Sequence, residues 1–221
     1  MSSTNRGGQR EVSDYYITPH DHIRMFMVEF LDDLIEDKDP IMAPGRGINV
    51  LDPCAGGDGN NPMAYPTVLA EWGDMFDVNT IDIREDSRAE FKACDYLKYN
   101  ISINRPDLII TNPPFSLAEP IIEKAIGDVA PGGYVVMLLR LNFLGSKKRS
   151  AFFKKYILHS VYVHSRRMSF TPNGKTDSIE YGHFVWQKGN APEFAGLKIL
   201  DFKEAATMGD KLCLRPAKQR K

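Results

Sequence analysis

Residues 107–116, Asp-Leu-Ile-Ile-Thr-Asn-Pro-Pro-Phe-Ser, join a short apolar run to an abrupt turn. The aliphatic residues 108–110 predict a buried strand. That strand must end at the two prolines, because proline cannot donate to a sheet ladder and fixes φ at about −65°. The first proline also biases Asn112 toward an extended conformation. The sequence therefore predicts a rigid turn at the carboxyl end of a strand, carrying an amide, free backbone carbonyls and an aromatic ring.

Four residues of this turn, Asn112, Pro113, Pro114 and Phe115, are candidate catalytic residues. They suit methyl transfer to an amine conjugated with a flat ring, whose nitrogen is a poor nucleophile because its lone pair is delocalised. The Asn112 side-chain oxygen and the Pro113 carbonyl would accept from its two N–H groups and stabilise the developing charge. Phe115 would stack on the ring and fix its plane. The alternative interpretation is a proline-terminated strand followed by a buried phenylalanine.

Length and composition favour one cytoplasmic domain. With 221 residues, 43% of them hydrophobic, the chain can bury one core, and we expect a single domain over residues 15–205. Residues 1–14 are expected to form a flexible arm, and residues 206–221 a basic tail. No apolar run is long enough for a membrane span. Cysteines without a CxxC pair favour reduced thiols and argue against a zinc site. They are Cys54, Cys94 and Cys213.

Positive charge is concentrated in one part of a chain whose net charge is only −1. Residues 140–167 contain eight Lys or Arg and no Asp or Glu. The eight are Arg140, Lys147, Lys148, Arg149, Lys154, Lys155, Arg166 and Arg167. Such asymmetry suits one face that meets a polyanion, although a solvated basic helix is the alternative.

A basic helix and a long loop are the candidate nucleic-acid contacts. The helix is expected to be capped by Ser146 and to run to about residue 157. Residues 165–180 form a polar loop of a length that is usually functional or disordered, and it is the candidate recognition loop. The candidate nucleic-acid-binding residues are Lys147, Lys148, Arg149, Arg166, Arg167 and Lys175.

Hydrophobic periodicity predicts an alternation of strands and helices. Apolar residues recur at helical spacing from Ile23 to Leu34, and residues 117–129 form a second helical pattern. Predicted strands comprise residues 48–52, 77–83, 107–110, 134–139, 160–164 and 181–187. This order is typical of an α/β protein with a mostly parallel sheet.

A glycine-rich turn, residues 53–61, follows the first predicted strand and its terminal Asp52. Glycines let the backbone approach a ligand closely, and Asn60 or Asn61 is expected to cap a helix that starts near Pro62. The turn lacks the G-x-G-x-x-G spacing of dinucleotide sites. An acidic strand end followed by small residues fits a zwitterionic amino-acid tail better than a pyrophosphate.

Two further aspartates are candidate cofactor ligands. Asp82 lies near the end of the second predicted strand, where a carboxylate often accepts from two ribose hydroxyls. Asp95 would accept from an adenine amine between apolar neighbours. The alternative roles are a helix cap for Asp82 and an ordinary loop aspartate for Asp95.

Taken together, these motifs resemble class I methyltransferases that use S-adenosylmethionine. The motifs are Tyr-Ile-Thr-Pro at 16–19, Leu-Asp-Pro-Cys-Ala-Gly-Gly at 51–57, the strand ending in Asp82, Cys-Asp-Tyr-Leu at 94–97 and Thr-Asn-Pro-Pro-Phe at 111–115. Among these enzymes the chain is most similar to amino-directed, adenine-specific DNA methyltransferases, including small phage-type enzymes. The Asn-Pro-Pro-Phe element is specific for amino methylation but is shared with RNA and protein-glutamine methyltransferases.

The resemblance extends over residues 15–187 and implies a fold, a cofactor and a set of ligands. The implied fold is a Rossmann-like, seven-stranded, mostly parallel sheet with helices on both faces and an antiparallel last strand. The cofactor would be S-adenosylmethionine, with S-adenosylhomocysteine as product and no metal. Asn112, Pro113 and Phe115 would form the target-base pocket. The implied cofactor-binding residues are Tyr16, Thr18, Pro19, Asp52, Pro53, Cys54, Ala55, Gly56, Gly57, Asp82, Ile83, Asp95, Tyr96 and Asn112.

The resulting hypothesis is methylation of the exocyclic N6 amine of a flipped-out adenine in DNA, as in restriction-modification systems. Two departures from the family concern Asp58 with Asn60-Asn61 in the glycine turn, and the absence of a segment long enough for a separate target-recognition domain. A short or relaxed target sequence is therefore expected. The same chemistry on RNA or a protein glutamine, and a non-catalytic nucleic-acid-binding subunit, remain alternatives. The sequence leaves open whether the protein is a monomer or a homodimer.

Overall fold

The structure is a computed structural model that describes residues 17–101, 104–170 and 176–201. Seven strands form one sheet. They are β1 Ile48–Asp52, β2 Phe76–Thr80, β3 Leu108–Thr111, β4 Tyr134–Arg140, β5 Ser160–His164, β6 Tyr181–Gln187 and β7 Gly196–Leu200. Their order across the sheet is β2-β1-β3-β4-β6-β5-β7. The predicted α/β, Rossmann-like, mostly parallel sheet is therefore confirmed.

Helices cover both faces of the sheet. They are α1 His20–Glu36, α2 Ala64–Leu69, α3 Ala118–Asp128 and α4 Ser150–Lys155. Apolar residues of α1 and α2 pack on one face against side chains such as Val136, and those of α3 on the other against its neighbour Val135. Because successive residues of a strand point to opposite faces, a strand covered on both sides is apolar throughout. This explains the continuous apolar run in β4.

One strand direction differs from the expectation. β6 is antiparallel to both of its neighbours, β4 and β5, whereas the last strand in the chain, β7, runs parallel to β5. The expected antiparallel last strand was therefore wrong. β7 was not predicted from the sequence because it is an edge strand with a largely exposed burial pattern, so burial does not impose a strong apolar signal on it.

The second predicted strand is shorter than expected. β2 ends at Thr80, and Ile81 makes only an isolated parallel bridge to Phe91. Asp82 therefore lies just beyond β2. Its carboxylate is nevertheless close to the end of β1, because it accepts a hydrogen bond from Gly56 in the turn that follows β1. The other predicted strands match the observed ones to within one residue at either end.

Two predicted helix caps were wrong. Ser146 precedes a 3₁₀-helix, Lys147–Arg149, and its side chain makes no capping hydrogen bond. α2 begins after Met63, again without a side-chain cap. The backbone N–H groups of Asn60 and Asn61 instead donate to the Asp58 carboxylate, at 2.7 and 2.9 Å. Asp58 therefore organises the turn locally and leaves the start of α2 to tertiary packing.

Several expectations concern residues outside the described ranges. They are the arm 1–14, the tail 206–221, Tyr16 and Lys175. Among the described residues, no helix is long and apolar enough to cross a bilayer.

Candidate active site

A cavity opens at the carboxyl ends of β1, β2 and β3, where parallel α/β sheets place their ligands. Its volume is about 820 Å³ including the open mouth, which is within the size range of small-molecule sites. Most of the predicted cofactor-binding residues line it. These are Thr18, Pro53, Cys54, Ala55, Gly57, Asp82, Ile83, Asp95, Tyr96 and Asn112. The structure thus brings residues of all five quoted sequence motifs to one cavity.

Three predicted cofactor ligands do not line the cavity. Pro19 is the N-cap residue of α1, and its carbonyl accepts from the His22 N–H at 3.1 Å. Asp52 is fully buried at the end of β1. Gly56 is held within the turn, where its N–H donates to Asp82. These residues lie behind the wall, and the implied role of Asp52 as a cofactor-binding residue has no support in its position.

The glycine turn requires glycine at two positions. Gly56 and Gly57 have φ values of +65° and +72°, in the left-handed region that other residues rarely adopt. A Cβ at Gly57 would lie 2.9 Å from Cγ of Met63. Close packing and backbone conformation therefore both exclude a side chain there, and the backbone itself forms this part of the wall.

Asp82 connects the turns that follow β1 and β2. One carboxylate oxygen accepts from the Gly56 N–H at 2.7 Å and the other from the Arg84 N–H at 2.8 Å. The residue is only 5% exposed. Because an ionised carboxylate offers about four acceptor positions, each oxygen can take one more donor from the cavity. Asp82 therefore both orders the turn and can hold a diol.

The far end of the cavity combines an apolar surface with a second carboxylate. Ile83 lines it and is 57% exposed, so its side chain is available to contact a ligand. Asp95 accepts from the Leu97 N–H at 3.1 Å and forms an ion pair with Lys98 at 3.1 Å. Apolar walls next to an acceptor suit a flat ring with an amino substituent.

The proline turn meets the cavity through Asn112. The Nδ2 group of Asn112 donates to the Thr18 hydroxyl oxygen at 3.0 Å, and Thr18 is 2% exposed. Among the described residues, no donor contacts Oδ1 of Asn112. The amide is therefore oriented with its donor occupied and its acceptor open.

The two proline carbonyls differ. The Pro114 carbonyl accepts from the Leu117 N–H at 2.9 Å as the chain enters a 3₁₀-helix, Phe115–Leu117. Nothing in the described part of the chain donates to the Pro113 carbonyl. Pro114 lines the cavity, whereas Pro113 is buried and does not. The turn thus holds two acceptors that no described donor occupies, the Asn112 Oδ1 and the Pro113 carbonyl, and of these two residues only Asn112 lines the cavity.

Asp52 is a buried carboxyl group behind this site. Its Oδ1 accepts from the Cys54 N–H at 3.2 Å, whereas Oδ2 is buried without a well-formed hydrogen bond from any described residue. Burial raises the pKa of Asp52 to about 7, and the Asp82 carboxylate acts in the same direction. The nearby Thr111 side chain lowers the pKa of the Asp52 carboxyl group, but burial outweighs this effect. Burial likewise raises the pKa of the Cys54 thiol. Over the described ranges, no group of three or more His, Cys, Asp or Glu side chains is arranged to hold a metal ion.

Phe115 lies beside the cavity without lining it. Its ring packs in a cluster with Leu138, Met168 and Tyr181. The Arg140 guanidinium lies over the Phe115 ring, with its central carbon 4.4 Å from the ring centroid. Met168 and Ile179, from the two described ends of the candidate recognition loop, therefore belong to the same hydrophobic cluster as the candidate base-stacking residue.

The candidate nucleic-acid-binding residues fall into two groups. Lys147, Lys148 and Arg166 are exposed. Arg149 is bound to Glu119 at 2.9 Å and stacks over the Phe143 ring at 4.3 Å. Arg167, although exposed, is paired with Glu180 at 3.0 Å. Arg149 and Arg167 thus have structural partners that the charge pattern did not reveal.

Several residues of the site were not predicted from the sequence. Tyr65, Arg84 and Leu97 line the cavity. Leu97 belongs to a quoted motif, but no local signal marks Tyr65 or Arg84. They come from a short helix and a turn whose positions depend on tertiary packing.

Several solved structures have a fold similar to that of this chain. A protein from Listeria monocytogenes described as a class I S-adenosylmethionine-dependent methyltransferase has a TM-score of 0.64 at 16% identity, and the match covers 94% of this chain and 72% of that one. The M protein of the type I restriction enzyme EcoKI has a TM-score of 0.52 at 15% identity, with 80% and 44% covered. The type IIG restriction endonuclease BpuSI has a TM-score of 0.59 at 12% identity, with 95% and 30% covered.

No family model matches the chain, and no curated protein matches its sequence. The structural similarities establish that the chain has the class I methyltransferase fold. The chain spans less than half the length of the two restriction proteins.

Proposed function

We propose that this protein transfers a methyl group from S-adenosylmethionine to the exocyclic N6 amine of a flipped-out adenine in DNA. The observation that carries the proposal is the orientation of the Asn112 amide. Its Nδ2 is committed to Thr18, and its Oδ1 is open at the edge of the cavity. An open amide oxygen next to a proline carbonyl that no described donor occupies would suit an N–H₂ group.

The cavity residues fit the proposed cofactor. Asp82 would accept from the ribose hydroxyls with the lone pairs that its two backbone hydrogen bonds leave. Ile83 would contact a face of the adenine, and Asp95 would accept from the adenine amine. The turn at Ala55 and Gly57 would pack against the methionine moiety. Bound there, S-adenosylmethionine supplies an electrophilic methyl group.

The chain's own contribution to the reaction is to hold the target amine. Oδ1 of Asn112 and the carbonyl of Pro113 would each accept one N–H, which draws the nitrogen toward a tetrahedral geometry. The same two oxygens stabilise the positive charge that develops as the new bond forms. Because prolines restrict the turn, little reorganisation is needed during the reaction.

Two observations support DNA as the substrate. Two of the structural neighbours are restriction-enzyme proteins, and the exposed Lys147, Lys148 and Arg166 lie in the segment without acidic residues. A base must leave the duplex to reach a strand-end pocket, at a cost of roughly a few kcal/mol. Phosphate contacts from these cations offset part of that cost and make binding salt-dependent. A single candidate recognition loop suits a short target sequence.

A methyl-transfer assay tests the proposal. The purified protein and tritiated S-adenosylmethionine are offered unmethylated plasmid DNA, total RNA and a mixture of proteins in parallel. We expect incorporation into DNA, recovered as N6-methyladenine after digestion. Incorporation into RNA or protein alone would reassign the substrate, and the absence of both methyl transfer and S-adenosylmethionine binding would favour a non-catalytic subunit.

A further inference from the structure

Arg140, the last residue of β4, has a side chain held from two sides. Its guanidinium stacks on the Phe115 ring at 4.4 Å. Its Nε donates to the Tyr181 hydroxyl at 3.3 Å, and that hydroxyl donates to the Asp177 carboxylate at 2.9 Å. Tyr181 lies opposite Arg140 in the antiparallel ladder of β4 and β6. Both the position and the plane of the guanidinium are therefore set by the fold.

The terminal nitrogens of Arg140 are nevertheless open. Over residues 17–101, 104–170 and 176–201, neither Nη1 nor Nη2 has an acceptor. By contrast, the nearby Arg149 and Arg167 are each paired with a glutamate. A half-buried guanidinium with a fixed plane and two open amino groups matches the bidentate geometry of a phosphate.

We propose that Arg140 binds a phosphodiester group of the target nucleotide in DNA while its stack on Phe115 fixes the plane of the ring against which the base packs. The inference rests on the proposed function. It adds a contact residue and two positioning residues, Tyr181 and Asp177, that hold the guanidinium.

The chemistry of guanidinium favours the phosphate over the base amine. Arginine carries only donors, so it cannot accept from the N–H₂ group of adenine. A free positive charge beside an amine that becomes positive during methyl transfer would also oppose the reaction. A bound phosphate removes that repulsion, because it neutralises Arg140 before the methyl group moves. Binding of the target nucleotide thus removes the electrostatic repulsion that would otherwise oppose methyl transfer.

The same contacts connect Arg140 to the candidate recognition loop. The Phe170 ring packs on Tyr181 at a centroid distance of 5.0 Å. The Asp177 N–H donates to the carbonyl of Met168 at 2.8 Å, and Met168 is fully buried. The two described ends of the loop are therefore anchored together next to Arg140, so the candidate recognition loop adjoins the proposed phosphate contact.

The test uses Arg140→Gln, Arg140→Lys and the control Arg105→Gln. Arg105 is exposed, precedes β3 and lies at the opposite, amino end of the strands, where it donates to the Gly127 carbonyl. Binding of each protein to a fluorescein-labelled unmethylated DNA duplex is measured over a range of salt concentrations. Steady-state methylation of plasmid DNA gives KM for DNA and kcat, and calorimetry gives S-adenosylmethionine affinity.

We expect Arg140→Gln to raise KM for DNA about 10- to 100-fold, the effect typical of removing one charge-assisted hydrogen bond. The plot of log affinity against log salt concentration should become shallower by about 0.9, the value for one phosphate that is no longer neutralised. Arg140→Lys should restore the salt slope but keep a lowered kcat, because an ammonium lacks the planar stack on Phe115. S-adenosylmethionine affinity should stay unchanged in all variants, and Arg105→Gln should match the unmodified protein.

The inference is overturned if Arg140→Gln keeps the salt slope and KM of the unmodified protein. It is also overturned if S-adenosylmethionine affinity falls together with DNA affinity, since that would indicate a general loss of structure. Failure of the proposed function is a separate outcome, because it shows as an unmodified protein that neither binds nor methylates DNA. That outcome would contradict both proposals. If the unmodified protein methylates DNA and Arg140→Gln behaves like it, only the role of Arg140 is contradicted.

Discussion

The side-chain amide of Asn112 donates a hydrogen bond of 3.0 Å to the hydroxyl of Thr18, 94 residues earlier in the chain. Thr18 lies two residues before α1, and Asn112 follows β3. The contact joins the start of the first helix to the proline turn and sets which end of the amide is free. It provides the physical basis for the first prediction.

Replacing Asn112 by alanine should abolish most turnover while leaving cofactor binding nearly intact. The variant removes one of the two acceptors for the target amine, and the loss of one preorganised polar group typically costs about 10²- to 10³-fold in kcat. Single-turnover methylation and calorimetry with S-adenosylmethionine measure the two properties separately. Thr18→Val is a milder comparison variant. It removes the hydroxyl that orients the Asn112 amide but keeps the amide itself, so it should reduce kcat less than Asn112→Ala does. Equal loss of turnover and cofactor affinity in Asn112→Ala would indicate misfolding.

Replacing Asp82 by asparagine should weaken S-adenosylmethionine binding by about 10- to 100-fold. The carboxylate holds the Gly56 N–H and is the candidate acceptor for the ribose hydroxyls, so the variant loses charge in both roles. Calorimetry measures the affinity, and Asp77→Asn is the matched control. Asp77 is exposed near the start of β2, at the end of that strand opposite to the cavity, and does not line the cavity. Similar affinities for the two variants would contradict the role assigned to Asp82.

Replacing Asp52 by asparagine should change how stability depends on pH. Burial raises the pKa of Asp52 to about 7 from an ordinary value of 3.8. Between these values the unfolded chain has released the proton that the folded protein keeps, so stability falls as the pH rises. The decrease is about 1.4 kcal/mol per pH unit for one proton. The free energy of unfolding of Asp52→Asn, minus that of the unmodified protein, should therefore increase up to about pH 7 and then level off. A flat difference over the whole range would show that Asp52 ionises normally.

A buried chain of histidines should make the protein acid-sensitive. Tyr65 hydrogen-bonds His183 at 3.0 Å, and His183 hydrogen-bonds His164 at 2.9 Å. Burial lowers the pKa of His164 and of His183 well below the ordinary value of 6.5. Below about pH 6.5 the unfolded chain takes up protons that the folded protein does not bind, so stability falls as the pH falls.

Urea unfolding between about pH 7.5 and about pH 5.5 measures this effect, with a slope of about 1.4 kcal/mol per pH unit for each such histidine. His164→Gln should reduce the slope by the contribution of one proton. Since Asp52 acts in the opposite direction, the comparison is made between proteins that both retain Asp52. An unchanged slope in His164→Gln would mean that this histidine titrates alike in both states.

Exposed basic residues and basic residues that are paired within the protein should respond differently to substitution. Lys147 and Lys148 are exposed, and the double change to glutamine should make the salt dependence of DNA binding shallower by about 0.9 for each phosphate that is no longer bound. Arg149→Gln should instead lower the free energy of unfolding, by about 1 kcal/mol or less, because it removes a partly exposed ion pair with Glu119 and the stack on Phe143. Fluorescence anisotropy and urea unfolding distinguish the two effects. A salt-slope change in Arg149→Gln with unaltered stability would reverse the assignment.

Much of the fold could be predicted because burial leaves strong patterns. β1, β5 and β6 were predicted with the observed bounds. Each of these strands has a neighbour on both sides in the sheet, so its residues are largely buried. The capping roles of Ser146 and of Asn60 or Asn61 were wrong, because a capping residue can equally serve a turn, as the Asp58 contacts of the two asparagines show. β7 has too little burial to leave a pattern.

The candidate site could be predicted in part. The resemblance assigned residues of the motifs that end β1 and β3 to one cofactor site, and the structure places both motifs at the same edge of the sheet, where the carboxyl ends of parallel strands meet. Which of their residues would line the cavity could not be predicted. Asp52 lies behind the wall and Tyr65 lies in it, a difference that depends on how the helices pack.

Local sequence was sufficient for six of the seven strands, the stiff proline turn and the glycine turn, because strand burial, proline geometry and positive φ are properties of neighbouring residues. Pairings between distant residues required the folded chain. The amide of Asn112 is oriented by Thr18, the Asp82 carboxylate is occupied by Gly56, and the Arg140 plane is set by Phe115. Each of these contacts depends on strand register and helix packing, which many residues determine together and no single segment encodes.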